Sequence, residues 1–157
     1  MSKISRYAGK KVIFKPLPKP VPVVKGLNKA LLIGINYVGT KYELYGCIND
    51  SKNMEENLRK FFPMCKEYRN INDYSTIKPT KKNIIDSINW LTSGLRPGQN
   101  IFLHYSGHGG LVRDTNGDEV TGCDSCLYPI DNGKIETILD DELRSLLAMK
   151  VPSGCKS

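Results

Sequence analysis

The sequence predicts an α/β domain of three layers, in which helices cover both faces of a mostly parallel sheet. Two short apolar runs, 30–36 and 100–106, have the length and composition of buried parallel strands. Three segments between and after these runs carry apolar residues at helical spacing, so strands and helices alternate along the chain. This alternation is typical of parallel sheets, because their strands are joined by helical crossovers.

The first strand is the apolar run 30–36, and a helix follows it after a loop. We expect Asp50 to cap a helix that begins at Ser51, because aspartate is a preferred residue at the helix N-cap. The helix has one apolar face, formed by Met54, Leu58, Phe61 and Phe62. Pro63 is expected to end it, because proline cannot continue a helix.

Residues 68–77 favour a weaker second strand, and Thr80 is expected to cap a second helix. The apolar face of this helix consists of Ile84, Ile85, Ile88, Leu91 and Leu95. The segment from Gly94 to Pro97 should end it. The third predicted strand, 100–106, is apolar at first and then becomes polar.

Beyond the third strand, the sequence is rich in glycine and polar residues and indicates mainly turns. Asn-Gly pairs mark turns at 116–117 and 132–133, and 127–129 favours one short strand. Asp140 or Asp141 should begin a third helix. Its inward face is predicted to comprise Leu143, Leu146 and Leu147.

The composition fits one ordinary globular domain. With 157 residues, 39% of them hydrophobic and 25% charged, the chain can bury a substantial core. It has no run of eighteen apolar residues and no apolar signal core, so we expect neither a transmembrane segment nor secretion. The five cysteines are unevenly spaced, which favours reduced thiols and a cytoplasmic location.

The net charge of +7 is concentrated in an N-terminal arm, residues 1–28. The first 29 residues hold eight of the 23 basic residues and none of the 16 acidic ones, so the remainder is nearly neutral. Alternating prolines in 15–24 favour an extended arm, either a solvated linker or a docking segment. The predicted folded domain, 29–157, shows no basic face or motif for nucleic acid, so no nucleic-acid partner is expected.

Ligands of parallel α/β sheets bind beyond the carboxyl ends of the strands, which directs attention to the segment after the third strand. His108 lies there between Gly107 and Gly109. A histidine flanked by glycines has an accessible ring and approachable backbone amides, as a general base beside an oxyanion site requires. A loop histidine at a tight turn is an equal alternative. His104, within the strand, is expected to be structural and satisfied by hydrogen bonds.

Several ordered segments resemble the caspase-like domain of the metacaspases. They are 29–37 (KALLIGINY), 44–50 (LYGCIND), 104–109 (HYSGHG), 124–131 (DSCLYPID) and 140–143 (DDEL). Their order makes the resemblance far more specific than any single segment. It implies a caspase-like α/β fold and a calcium-dependent cysteine endopeptidase that cleaves protein or peptide substrates after arginine or lysine.

The resemblance also assigns roles to individual residues. His108 resembles the catalytic histidine, which activates a thiol and then protonates the leaving amine. Cys47, Asp50 and Ser106 resemble the wall of the substrate pocket. A carboxylate in that pocket would favour a cationic substrate side chain, above all a guanidinium group.

Asp124, Asp140 and Asp141 resemble the calcium ligands of the family. Three neighbouring carboxylates would repel one another without a cation or solvent between them, and calcium prefers six to eight oxygen ligands. The alternative for Asp140 and Asp141 is a favourable negative charge at a helix N-terminus. We expect weak calcium binding.

The sequence departs from the family at the nucleophile. The family's Asp-(Ser/Cys)-Cys-His-Ser-Gly segment is not found, and the fold is expected to be incomplete at its carboxyl end. Cys126 and Cys155 lack the full motif and are remote candidates. Three accounts remain open: a fragment whose remainder lies elsewhere, a natural truncation, or a non-catalytic module. That module would bind basic peptides or a full-length relative through an exposed sheet edge.

Overall fold

The computed structural model describes residues 26–113 and 123–148, and its centre is a sheet of three parallel strands. The strands are β1 (Lys29–Gly34), β2 (Glu67–Asn72) and β3 (Ile101–Ser106), in the order β2-β1-β3. Lys29 of β1 is in register with Glu67 on one side and with Ile101 on the other. The predicted parallel α/β sheet is therefore confirmed.

Helices pack on both faces of this sheet, which makes the three layers. On one face, Leu31 and Ile33 of β1 join the buried side chains of α2 (Lys81–Thr92). The partly buried leucines of α3 (Asp140–Ala148) pack against the same cluster. On the other face, Ala30 and Leu32 contact the α1 (Cys47–Phe61) side chain Leu58. Burying each such leucine or isoleucine contributes about 1.5–3 kcal/mol, so β1 is the centre of the core.

Helix α1 ends just before Pro63 as predicted, but it differs from its prediction at its start and in one residue of its apolar face. It begins at Cys47 with Gly46 as the N-cap residue, so Asp50 lies inside the first turn and is not the cap. The reason is close packing: a Cβ on Gly34 would collide with the Cys47 carbonyl and with Ser51, so glycine lets the helix start directly against β1. Phe61, expected on the apolar face, is 77% exposed.

Helix α2 has the predicted cap. The Thr80 hydroxyl accepts a hydrogen bond from the Asn83 amide at 3.2 Å. Strand β2 is shorter than predicted, because Asn72 begins a turn in which its side chain accepts the Tyr74 amide and its carbonyl accepts the Ser75 amide. These bonds replace the pairing that a longer strand would make.

The segment after β3 contains far more strand than the sequence indicated. Strands β4 (Gly109–Arg113), β5 (Cys123–Leu127) and β8 (Ile138–Leu139) form a second, antiparallel sheet. Strands β6 (Ile130–Asp131) and β7 (Lys134–Ile135) form a hairpin. Its turn is the predicted Asn-Gly pair, with φ of 46° and 80°. Of the strand predicted at 127–129, only Leu127 lies in a strand, as the last residue of β5, so the rest of that prediction is wrong.

The predicted turn at 116–117 and most of the N-terminal arm lie outside the described residues. The packed body includes Leu27 and Asn28, because Leu27 is buried and the Asn28 side chain accepts a hydrogen bond from the Asn100 amide at 2.9 Å. Among the described helices, none combines the length and the apolar character needed to cross a membrane.

Candidate active site

His108 lies just beyond the carboxyl end of β3, where the sequence placed it. Its Nε2 atom is 2.8 Å from the backbone carbonyl oxygen of Tyr42, in the loop between β1 and α1. A carbonyl oxygen can only accept a hydrogen bond, so Nε2 carries the proton in this arrangement. The other ring nitrogen, Nδ1, then has the free lone pair when the ring is neutral.

The imidazole of His108 stands at the rim of a cavity of about 340 Å³. The lining residues come from the loop between β1 and α1, from the turn after β3, from the antiparallel sheet and its following turn, and from the hairpin, and they are Tyr42, His108, Gly109, Tyr128 and Ile135. The ring centroids of Tyr37 and His108 are 4.7 Å apart with a tilt of 45°. The histidine ring is thus held between an aromatic face and a carbonyl, with an open space beside it.

Two tyrosine hydroxyls contact the backbone of His108. The His108 amide donates to the Tyr37 hydroxyl oxygen at 2.9 Å, and the Tyr105 hydroxyl donates to the His108 carbonyl at 2.9 Å. Burial raises the pKa of both tyrosines, and the raise is larger for Tyr105, whose pKa the neighbouring Tyr37 hydroxyl raises further. Both hydroxyls therefore stay protonated at neutral pH and can donate.

Of the predicted pocket wall, Asp50 and Ser106 are brought together. The Ser106 hydroxyl donates to the Asp50 carboxylate at 3.1 Å, which links the first turn of α1 to the end of β3. Cys47 is the first residue of α1 and is half-buried. It lies close enough to Tyr37 and Tyr105 to raise the pKa of both. None of the three lines the cavity beside His108.

The three aspartates that resemble calcium ligands are not converged. Asp124 is buried in β5, whereas Asp140 and Asp141 begin α3 and both contact Arg144, at 3.1 and 3.4 Å. Carboxylate oxygens suit calcium. Within 26–113 and 123–148, however, no three acidic, histidine or cysteine side chains lie close enough together to hold an ion. The donor chemistry fits calcium and the present spacing does not.

No cysteine thiol in the part of the chain that the structure describes hydrogen-bonds to His108. Cys126 is buried in β5 beside Tyr128, and Cys65 contacts the Asn28 carbonyl on the far side of the molecule. Cys155 lies outside the described residues.

The prediction for His104 is wrong in one respect. Its Nε2 atom is buried and has no hydrogen-bond partner among the described residues. His104 is in register with Leu32, and residues paired in this way lie on the same face of the sheet. That face packs on α1 mainly through apolar side chains, and its polar Ser51 and Asn70 bond to each other and not to the imidazole.

Sequence reasoning did not find the groups that hold His108. The Tyr42 contribution is a backbone carbonyl, which no side-chain pattern reveals. Tyr37 and Tyr105 did carry a signal, since each is an aromatic residue at the carboxyl end of a buried strand. Their joint contact with His108 depends on the parallel pairing of β1 and β3, which places both strand ends at one edge.

Comparisons with known proteins agree with this architecture. The model of the family described as "Metacaspase, peptidase C14 domain" matches residues 28–157. Metacaspase-1 of Schizosaccharomyces pombe is 41% identical over 136 residues, which cover 84% of this chain and 32% of that protein. Metacaspase-1A of Neurospora crassa is 42% identical over 135 residues, 83% of this chain and 30% of that one. The chain thus spans about a third of the length of these curated relatives.

A crystal structure of a protein from Geobacter sulfurreducens has the same fold. Its TM-score with this chain is 0.65 at 29% sequence identity, and the match covers 83% of this chain and 47% of that one. The caspase-like α/β fold expected from the sequence is thereby confirmed.

Proposed function

Because the chain belongs to the metacaspase family (peptidase C14 domain), we propose that it supplies the histidine and part of the substrate pocket of a cysteine endopeptidase. This endopeptidase would cleave after arginine or lysine. The observation that supports this best is the position of His108. Its ring lies at the carboxyl edge of the parallel sheet, at a cavity, with Nε2 bound to the Tyr42 carbonyl.

In this proposal, Nδ1 of His108 takes the proton from a cysteine thiol, and the resulting thiolate attacks the carbonyl carbon of the scissile peptide bond. The imidazolium then returns that proton to the leaving amine. The Tyr42 carbonyl keeps Nε2 protonated throughout. The family's nucleophile segment is not found in these 157 residues, so we propose that a second polypeptide segment supplies the thiol.

Asp50 is the proposed determinant of specificity. The Ser106 hydroxyl donates one hydrogen bond to the Asp50 carboxylate, which fixes its orientation and leaves other lone pairs for a substrate. A carboxylate can accept two parallel hydrogen bonds from a guanidinium group, and an ammonium group pairs with it as a point charge. Arginine is therefore expected to be preferred to lysine. Cys47, one turn earlier in α1, would form part of the wall of the same pocket.

We also propose weak calcium binding by Asp124, Asp140 and Asp141. The buried carboxyl of Asp124 and the two at the start of α3 supply hard oxygen ligands. Calcium would have to displace the Arg144 guanidinium, which now contacts Asp140 and Asp141.

Hydrolysis of fluorogenic peptides tests the proposed activity. Residues 1–157 alone should not cleave peptides that end in arginine or lysine. Addition of a polypeptide carrying the family's Asp-(Ser/Cys)-Cys-His-Ser-Gly segment should produce cleavage, and His108→Ala should abolish it. His104→Ala is the matched control and should retain it. Cleavage that survives His108→Ala would reject the assigned base, and cleavage by the chain alone that is lost with Cys126→Ala would assign the thiol to Cys126.

A non-catalytic binding module is the second candidate, favoured by the edge of β3. Among the described residues, β3 pairs only with β1, and its other edge is open. Ile101, Phe102 and Leu103 make this an apolar edge, whereas the opposite edge strand β2 carries Glu67 and Arg69. Apolar unpaired edges accept a further strand, and charged ones resist it. Binding of a full-length relative without any cleavage in the reconstitution assay would favour this function.

A further inference from the structure

The backbone around His108 is held only in part by strand pairing, because Gly109 begins β4 and the His108 carbonyl accepts the Tyr128 amide at 3.2 Å, whereas Gly107 belongs to no strand. The neighbours of His108 are Gly107 and Gly109, and glycine gives the chain more conformational freedom than any other residue. A ring held only by its own hydrogen bond to the Tyr42 carbonyl could leave that carbonyl through rotation of this flexible segment. A histidine that must face one nucleophile therefore needs its backbone to be fixed from outside the segment.

Tyr37 and Tyr105 provide that restraint from two directions. The Tyr37 hydroxyl oxygen accepts the His108 amide at 2.9 Å, and its own proton goes to the Tyr128 carbonyl at 2.7 Å. The Tyr105 hydroxyl donates its proton to the His108 carbonyl at 2.9 Å. The two hydroxyl oxygens are 3.1 Å apart. Each proton thus has its own acceptor, and both backbone groups of His108 are bound.

The conformation of Tyr37 is unusual for its residue type. Its φ is 53°, in the left-handed region, and its side chain is fully buried. Bulky residues adopt this region at an energetic cost, and such strained positions cluster at functional sites. The strained backbone turns the chain after β1 so that the Tyr37 ring lies against the His108 ring and its hydroxyl reaches the His108 amide.

Gly107 leaves the space that the two tyrosines use. A Cβ at this position would be 2.8 Å from the Tyr105 hydroxyl oxygen and 3.1 Å from that of Tyr37. Real Cβ atoms essentially never approach other atoms within 3.0 Å, so a side chain here would force the Tyr105 hydroxyl to move and would crowd that of Tyr37. Gly107 and the two tyrosines therefore pack together around the His108 backbone.

We propose that Tyr37 and Tyr105 are positioning residues for His108, which they clamp by its amide and its carbonyl so that its Nε2 atom stays on the Tyr42 carbonyl. This inference rests on the proposed role of His108 as a base. It assigns the tyrosines no proton in the reaction. They act through His108, by keeping Nδ1 exposed as the basic nitrogen.

The tautomer of His108 reports on the clamp without any need for turnover. The chain has two histidines, so ¹⁵N-labelled imidazole signals can be assigned with His108→Ala and His104→Ala. In the wild-type chain, the neutral His108 ring should be mainly the Nε2-protonated form. In Tyr37→Phe and in Tyr105→Phe, the ratio of Nε2- to Nδ1-protonated ring should fall by about two- to tenfold, the range that one net hydrogen bond supplies.

Tyr74→Phe is the matched control, because it removes a hydroxyl from an exposed tyrosine and should not change the ratio. An unchanged ratio in both clamp variants, even with a lower thermal midpoint, would reduce the tyrosines to structural residues and overturn the proposal. If a variant fails to fold, the wild-type chain decides. The His108 amide should exchange with solvent at least about tenfold more slowly than an unprotected amide, and exchange at the unprotected rate would contradict the clamp.

These outcomes separate the clamp from the peptidase proposal. A tautomer shift without activity in the reconstitution assay would reject the peptidase function alone. Activity that needs His108, together with an unchanged tautomer ratio, would reject the clamp alone.

Discussion

Gly107 has no room for a side chain, because its Cβ would lie 2.8 Å from the Tyr105 hydroxyl oxygen. Gly107→Ala is therefore expected to destabilise the chain by about 1–3 kcal/mol, the usual cost of overpacking. In a Tyr105→Phe background the same substitution should cost less, because the nearest atom has been removed. Thermal unfolding of the two single variants and the double variant measures this coupling.

Gly26→Ala is the control for this cycle, since a Cβ there would meet nothing within 4 Å and the substitution should be nearly neutral. Strict additivity of Gly107→Ala and Tyr105→Phe would contradict the assigned contact.

The buried tyrosines also predict a dependence of stability on alkaline pH. Burial and the neighbouring Tyr37 hydroxyl raise the pKa of Tyr105 above its usual value of 10.0. The folded chain then holds this proton more tightly than the unfolded chain does. The stabilisation is fully present below about pH 10 and is lost as the pH rises from there through the folded-state pKa.

Tyr105→Phe should therefore lose less stability than the wild type between pH 9 and pH 11. A difference of about 1 kcal/mol would appear as a difference of roughly 2–8 °C in the thermal midpoint. Parallel melting curves across that range provide the measurement. Equal losses in the two proteins would show that lysines and the other tyrosines account for the whole effect.

Among individual residues, the end of an apolar run located His108 beyond β3, and the family resemblance grouped Asp50 with Ser106, which a hydrogen bond joins in the structure. Strand ends are visible as the point where an apolar run becomes polar. The cap role of Asp50 was wrong, because a preference for capping says nothing of the space that Gly34 provides beneath α1. Contacts made by backbone atoms, such as the Tyr42 carbonyl, leave no trace in the sequence.

At the level of elements, the apolar pattern located β1, β3, α2 and α3 closely, because their core-facing apolar residues recur at regular spacing. The strands from β4 to β8 were missed for the opposite reason. Three of the five have only two residues, and β4 begins with Gly109 and Gly110, which disfavour strand. Their pairing depends on contacts with each other and not on local composition.

Substitution of Asp140 and Asp141 at the start of α3 tests the proposed calcium binding. Affinity is expected in the range of about 10⁻⁴–10⁻³ M that weak calcium sites show. Calcium at 100 times its dissociation constant would stabilise the chain by about 2.7 kcal/mol. The thermal midpoint is followed during a calcium titration of the wild type and of Asp140→Ala/Asp141→Ala, with magnesium as the control.

Only the wild type should gain stability, and only with calcium. An equal gain in the double variant would show that these aspartates serve α3 as favourable N-terminal charges and not as ligands.

For the whole molecule, the N-terminal arm is predicted to be dispensable for stability. Deletion of residues 1–25 should leave the thermal midpoint nearly unchanged, because the arm has alternating prolines and no apolar periodicity. Deletion of residues 1–28 should lower it, because Leu27 is buried and Asn28 bonds to Asn100. A fall of several degrees with the shorter deletion would mean that the arm packs on the domain.

The proposed function requires the carboxyl edge of the parallel sheet to recognise a basic side chain beside His108. The most direct test is an NMR titration of ¹⁵N-labelled chain with a short peptide ending in arginine, against one ending in glutamate. The arginine peptide alone should shift the amide signals of Asp50, Ser106 and His108, and Asp50→Asn should abolish the shifts. Equal shifts with both peptides, or shifts confined to the far end of the sheet near Phe61 and Met64, would contradict recognition of a basic side chain by Asp50.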